Sequence, residues 1–130
     1  MKVKNVIIID YGFGNLKSIQ NMLKKIGVEA KISNKKEDIE TADKLILPGV
    51  GSFATAMNSI DELNLRQSLD KAVLQKKTPI LGICLGMQLM CAQSEEGGQI
   101  TRGLNWINAN VRRLPSVSYT HLTLPTKRIV

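Results

Sequence analysis

A chain of 130 residues with 43% hydrophobic side chains can bury the core of one domain, or part of a larger one, and is too short for several. No apolar stretch approaches the roughly 18 residues of a membrane span, and no signal-peptide cleavage pattern follows Met1-Lys2-Val3-Lys4-Asn5, so we expect a cytoplasmic protein with no membrane role. The net charge of +7 comes from scattered basic residues, paired only at Lys24-Lys25, Lys35-Lys36, Lys76-Lys77 and Arg112-Arg113. With two Tyr, two Phe and one Trp there is no stacking platform for bases, and nucleic-acid binding is not expected.

Val6-Ile7-Ile8-Ile9 is a continuous β-branched run, the pattern of a strand buried on both faces of a parallel sheet. The loop Asp10-Tyr11-Gly12-Phe13-Gly14 follows. Asn15 is placed to cap a helix in which Leu16, Ile19, Leu23 and Ile26 recur at helical spacing, with Gly27 as its stop. Val28 to Ile32 is a second strand, and Lys35 to Thr41 a polar connection with room for a helical turn. Lys44-Leu45-Ile46-Leu47 is a third strand, ended by Pro48-Gly49-Val50-Gly51. Phe53, Met57 and Ile60 share one helical face, and Leu65, Leu69, Ala72 and Val73 another.

A fourth strand, Thr78 to Leu81, leads into Gly82-Ile83-Cys84-Leu85-Gly86 and an apolar helical segment, Met87 to Ala92. Alternating strands and helices predict an α/β fold, a largely parallel sheet flanked by helices. Functional loops then gather at the carboxyl ends of the strands: Asp10–Gly14, Pro48–Gly51 and Cys84–Gly86.

The pentad is the G-x-S-x-G elbow pattern with cysteine in place of serine. A nucleophile on the tight turn between strand and helix needs small neighbours two residues away on each side, and the helix N-terminus beneath it favours thiolate over thiol. Cys84 is therefore the candidate nucleophile, whereas Cys91 lacks both features and reads as core. Two cysteines fit a reducing compartment. Neither C-x-x-C nor a His/Cys cluster occurs, so no metal is expected.

The first loop does not read as a dinucleotide site, because its third glycine would fall at Lys17, so no cofactor is expected. Pro48–Gly51 alone reads as a strand-ending turn. Beside a cysteine elbow it becomes a candidate oxyanion hole, paired with the amide of Leu85. Gln88 stands one turn beyond Cys84 on the same helical face, as a satisfied core amide or a substrate-binding group. Ser94-Glu95-Glu96-Gly97-Gly98 supplies acceptors for an ammonium group, or is a solvated loop.

Asp10-Tyr11-Gly12-x-Gly14-Asn15-Leu16-x-Ser18, Leu47-Pro48-Gly49-Val50-Gly51, Gly82-Ile83-Cys84-Leu85-Gly86-Met87-Gln88 and Ser94-Glu95-Glu96-Gly97 stand together in order. Over roughly residues 1 to 115 the chain resembles the glutaminase subunits of imidazole glycerol phosphate synthases, which are class I (triad-type) glutamine amidotransferases of flavodoxin-like fold. The resemblance implies that Cys84 attacks the side-chain amide of glutamine to give a thioester and ammonia. It makes Val50, Gly51 and Leu85 the oxyanion donors, and Gly49, Gln88 and Glu96 the substrate-binding residues. Gly14 and Asn15 would face a cyclase partner with a (β/α)8 barrel, which takes the ammonia for histidine biosynthesis.

The family's paired histidine and glutamate are absent. The sole histidine, His121, is followed two residues later by Thr123, and splitting an amide requires a proton donor for the leaving nitrogen. Residues 116–130 resemble translated adapter or vector sequence. We therefore expect the domain to occupy residues 1–115, incomplete at its C-terminus, with part of its sheet edge uncovered and the fragment inactive and poorly soluble alone.

Overall fold

The β-branched run forms β1 (Val6–Ile9), buried at all four positions at the centre of a parallel sheet. The computed structural model describes residues 5–114. β1 lies between β2 (Ala30–Ser33) and β3 (Lys44–Leu47), and β4 (Ile80–Gly82) pairs with β3, giving the parallel order β2-β1-β3-β4. Val6 stands opposite both Ala30 and Lys44, and Leu47 opposite Gly82.

Alternate residues feed two cores, as a sheet covered on both faces requires. Ile7, Ile9, Leu45 and Leu47 pack with Phe53, Met57, Ile60, Leu65 and Leu69, while Val6, Ile8 and Ile46 pack against Leu16, Ile19 and Leu23. The first group of helical residues comes from α3 (Phe53–Glu62), from Leu65, and from α4 (Arg66–Asp70), which runs into a π-helical turn at Lys71–Gln75. The second comes from α1 (Leu16–Lys25), and α2 (Lys36–Thr41) buries Ile39.

The caps explain the boundaries. The Asn15 side chain accepts from the Ser18 N–H at 3.4 Å and opens α1. At the other end Gly27, at φ +88°, lets its own N–H reach the Lys24 carbonyl at 3.0 Å and the Val28 N–H reach the Leu23 carbonyl at 2.9 Å. This is a Schellman closure. It uses Val28 to end the helix, so β2 begins at Ala30 and not at Val28 as expected. Ile26, expected on the buried face, is 73% exposed at the C-cap.

The helix expected through Ala92 is shorter. α5 spans Leu85–Leu89, and Cys91–Ser94 is a strand, β5. The carbonyls of Leu89 and Met90 accept from the N–H groups of Leu104 (2.7 Å) and Trp106 (2.8 Å), partners from outside the helix. β5 joins β6 (Thr101–Arg102) and β7 (Ile107–Val111) in a second sheet, order β6-β5-β7, which the sequence reading did not foresee. Cys91, expected as core, is half-buried at the start of β5.

Among the described residues β4 pairs only with β3. Leu81 on it is exposed, and a cavity of about 370 Å³ lies between Leu23, Val28, Ile46, Ile80 and Leu81. No helix among the described residues is long and apolar enough to cross a membrane. The sole histidine and the 116–130 segment lie outside the described residues.

Candidate active site

Because β1, β3 and β4 are adjacent and parallel, the loops that leave their carboxyl ends meet at one edge of the sheet. Cys84 stands at the last of these turns with φ +54° and ψ −119°, a conformation that costs a non-glycine residue about 1 kcal/mol or more, and is exposed. The turn is held by the Ile83 N–H donating to the Leu47 carbonyl (2.9 Å) and the Gly86 N–H to the Ile83 carbonyl (2.9 Å).

The two flanking glycines are required by close approach. A Cβ on Gly86 would stand 1.9 Å from the Leu47 carbonyl oxygen, and one on Gly82 would stand 2.7 Å from Met87 Cα. The spacing read from the sequence thus has its physical cause: strand and helix cross where no side chain fits.

The Pro48–Gly51 loop lies against this elbow. Pro48 and Gly49 are buried, Val50 is exposed, and Gly51 has φ +108°. The Leu85 N–H donates to the Gly49 carbonyl at 3.2 Å, so this candidate oxyanion donor is occupied by the neighbouring loop. A Cβ on Gly49 would meet the Tyr11 hydroxyl at 2.5 Å and the Gly86 nitrogen at 3.0 Å.

The first loop supports the second. The buried Tyr11 hydroxyl donates to the Pro48 carbonyl at 2.6 Å, and burial pushes its phenol well above the ordinary tyrosine range. Gly14 leaves only 3.0 Å between its vacant Cβ position and Pro48 Cβ, so its lack of a side chain has an internal cause. Asn15 is an exposed helix cap.

Gln88 follows Cys84 by one turn, and its N–H donates to the Cys84 carbonyl at 3.3 Å. Its side chain and that of Glu96 line one cavity of about 260 Å³, together with Gly97, Val111, Arg112 and Arg113. One Glu96 oxygen accepts from the Phe53 N–H at 2.8 Å, at the start of α3. A carboxylate is favoured there by the free N–H groups and dipole of the helix, and its other oxygen can take a second donor. Sequence reasoning missed this contact, the arginine rim, the Tyr11 bond and the occupied Leu85 amide. Only the first had a signal, Ser52 as a helix cap next to Phe53, and its Oγ does accept from the Thr55 N–H.

Comparison with known proteins places the chain in a family. The family model described as "Glutamine amidotransferase class-I" matches residues 7–126. The chain is 56% identical to an imidazole glycerol phosphate synthase subunit HisH 2 of Methanococcus maripaludis over 80% of this chain and 50% of that protein. It is 47% identical to a HisH 2 subunit of Pseudomonas aeruginosa over 79% of this chain and 50% of that protein. A crystal structure of a glutamine amidotransferase superposes with a TM-score of 0.67 at 25% identity, covering 82% of this chain and 56% of that one. The chain spans about half the length of the curated relatives it matches. It belongs to the class I glutamine amidotransferase family.

Proposed function

We propose that the full-length protein hydrolyses glutamine to glutamate and ammonia in the cytoplasm. The ammonia passes to a cyclase partner with a (β/α)8 barrel for imidazole glycerol phosphate synthesis. The observation that carries this reading is Cys84, exposed at positive φ between two glycines that no larger residue can replace. The names of the relatives above support the synthase assignment.

The Cys84 sulfur attacks the side-chain amide carbon of glutamine, and the carbonyl oxygen becomes an oxyanion. Carbon–nitrogen cleavage releases ammonia once the nitrogen has gained a proton, leaving a γ-glutamyl thioester, and water then releases glutamate and the thiol. No histidine is among the described residues, and on our reading this chain lacks the proton donor and is inactive by itself. Gln88 and Glu96 hold the amino-acid end, Glu96 taking the ammonium group.

The oxyanion donors are the amides of Leu85 and of the Val50–Gly51 segment. Leu85 must first leave the Gly49 carbonyl. Turning the Gly49–Val50 peptide over does this and brings the Val50 N–H to the same side, because a peptide's N–H and C=O point in opposite directions. Asn15 is exposed and Gly14 half-buried where the first loop enters α1, and we assign that face to the partner.

The test is glutamine-dependent release of glutamate by a full-length protein containing these residues, with and without a cyclase partner. Activity that Cys84→Ala abolishes is expected. Absence of glutaminase activity in both conditions contradicts the reading.

A further inference from the structure

We propose that Tyr11 is a positioning residue for the oxyanion loop, its hydroxyl fixing the Pro48 carbonyl so that the loop's amides can be aimed at the elbow. The inference rests on the glutaminase reading above and adds to it a residue that touches neither substrate nor nucleophile.

Tyr11 is 1% exposed, and its hydroxyl bonds the Pro48 carbonyl at 2.6 Å. The residue is itself anchored: the Ser59 hydroxyl donates to its backbone carbonyl, and its ring stacks on Phe13 with centroids 5.5 Å apart. The Phe13 ring in turn comes within 3.7 Å of the Cβ position of Gly51. The first loop therefore holds the start of the Pro48–Gly51 loop by the hydroxyl, with the Phe13 ring facing the space that Gly51 leaves vacant.

The hydroxyl fixes the Pro48–Gly49 peptide and leaves the next one free to turn. With the Pro48 carbonyl held, any turn that releases the Leu85 N–H is confined to the Gly49–Val50 peptide, whose own carbonyl that N–H now occupies. An oxyanion hole works because its donors are in place before charge develops. Without the hydroxyl, the buried Pro48 carbonyl loses its partner and the loop shifts to find another. The amino-acid end of the substrate, held by Gln88 and Glu96 in a separate cavity, is unaffected.

Tyr11→Phe keeps the stacked ring and removes only the hydroxyl. In the full-length protein with its partner, kcat for glutamine is expected to fall about five- to tenfold, the worth of one ordinary hydrogen bond, with KM within about twofold. Gly49→Ala makes a second probe, because its Cβ would collide with the same hydroxyl. Its loss of kcat should be smaller in the Tyr11→Phe background than in the native one. Unchanged kcat in Tyr11→Phe, a kcat loss matched by an equal KM rise, or strictly multiplicative losses in the double variant would each overturn the inference. Lack of turnover by the native protein would instead remove the glutaminase reading, and this inference with it.

Discussion

The Leu85 N–H and the Gly49 carbonyl are hydrogen-bonded at 3.2 Å, which ties the residue after the proposed nucleophile to the loop proposed to share its work. A hole formed by both loops therefore requires an exchange of partners. L-glutamate γ-semialdehyde added to the protein gives Cys84 an aldehyde to attack and leaves an alkoxide where the oxyanion forms. The amide resonances of Val50 and Leu85 should both shift. A shift of Leu85 with Val50 unmoved would sink the two-donor arrangement.

The elbow glycines should rank by the space they lack. Gly86→Ala sets a Cβ against the Leu47 carbonyl and is expected to cost about 3 kcal/mol in chemical denaturation. Gly27→Ala meets nothing within 4 Å and strains only a positive φ, for about 1 kcal/mol. Equal losses at the two positions would refute the close-packed elbow.

Glu96→Gln keeps an oxygen acceptor for the Phe53 N–H but removes the charge. Stability should change by less than about 1 kcal/mol, whereas KM for glutamine in the full-length protein should rise about ten- to a hundredfold. An unchanged KM would return Glu96 to a purely capping role.

Two carboxylates away from the site contribute to stability against acid. The Ser33 hydroxyl (2.6 Å) and then Lys31 hold Asp38 below its ordinary range, and Ser68 (2.8 Å) and then Lys71 do the same for Glu40. A carboxylate lowered in the folded state contributes stability that is complete above its unfolded pKa and is lost as pH falls through the folded one. Melting temperature should therefore drop as pH is taken below about 4, and Ser33→Ala and Ser68→Ala should flatten that acid limb. An acid limb identical in the variants would rule these bonds out as its cause.

Much of the fold was legible because local and tertiary signals agree in the first ninety or so residues. The Val6–Ile9 run reads as a central strand because it is wholly β-branched, Leu45–Leu47 because Pro48-Gly49 ends it after a few residues, and Asn15 and Gly27 mark α1 by side-chain chemistry and backbone freedom. The stretch from Met87 to Ala92 misled because a short apolar run fits helix or strand, and Leu104 and Trp106 decide it by taking the Leu89 and Met90 carbonyls. Within the site, Cys84 and its glycines were legible because sterics impose their spacing. The Tyr11–Pro48 and Glu96–Phe53 bonds join positions 37 and 43 residues apart; Ser52 marks the helix start at Phe53, but no local pattern names either distant partner.

The most direct measurement is the intact mass of the full-length protein, acid-quenched during turnover of glutamine. A γ-glutamyl group on Cys84, absent from Cys84→Ala and absent from Cys91, is the expected result. Turnover with no adduct on Cys84, or with the adduct on another residue, would contradict the assignment of this cysteine as the nucleophile.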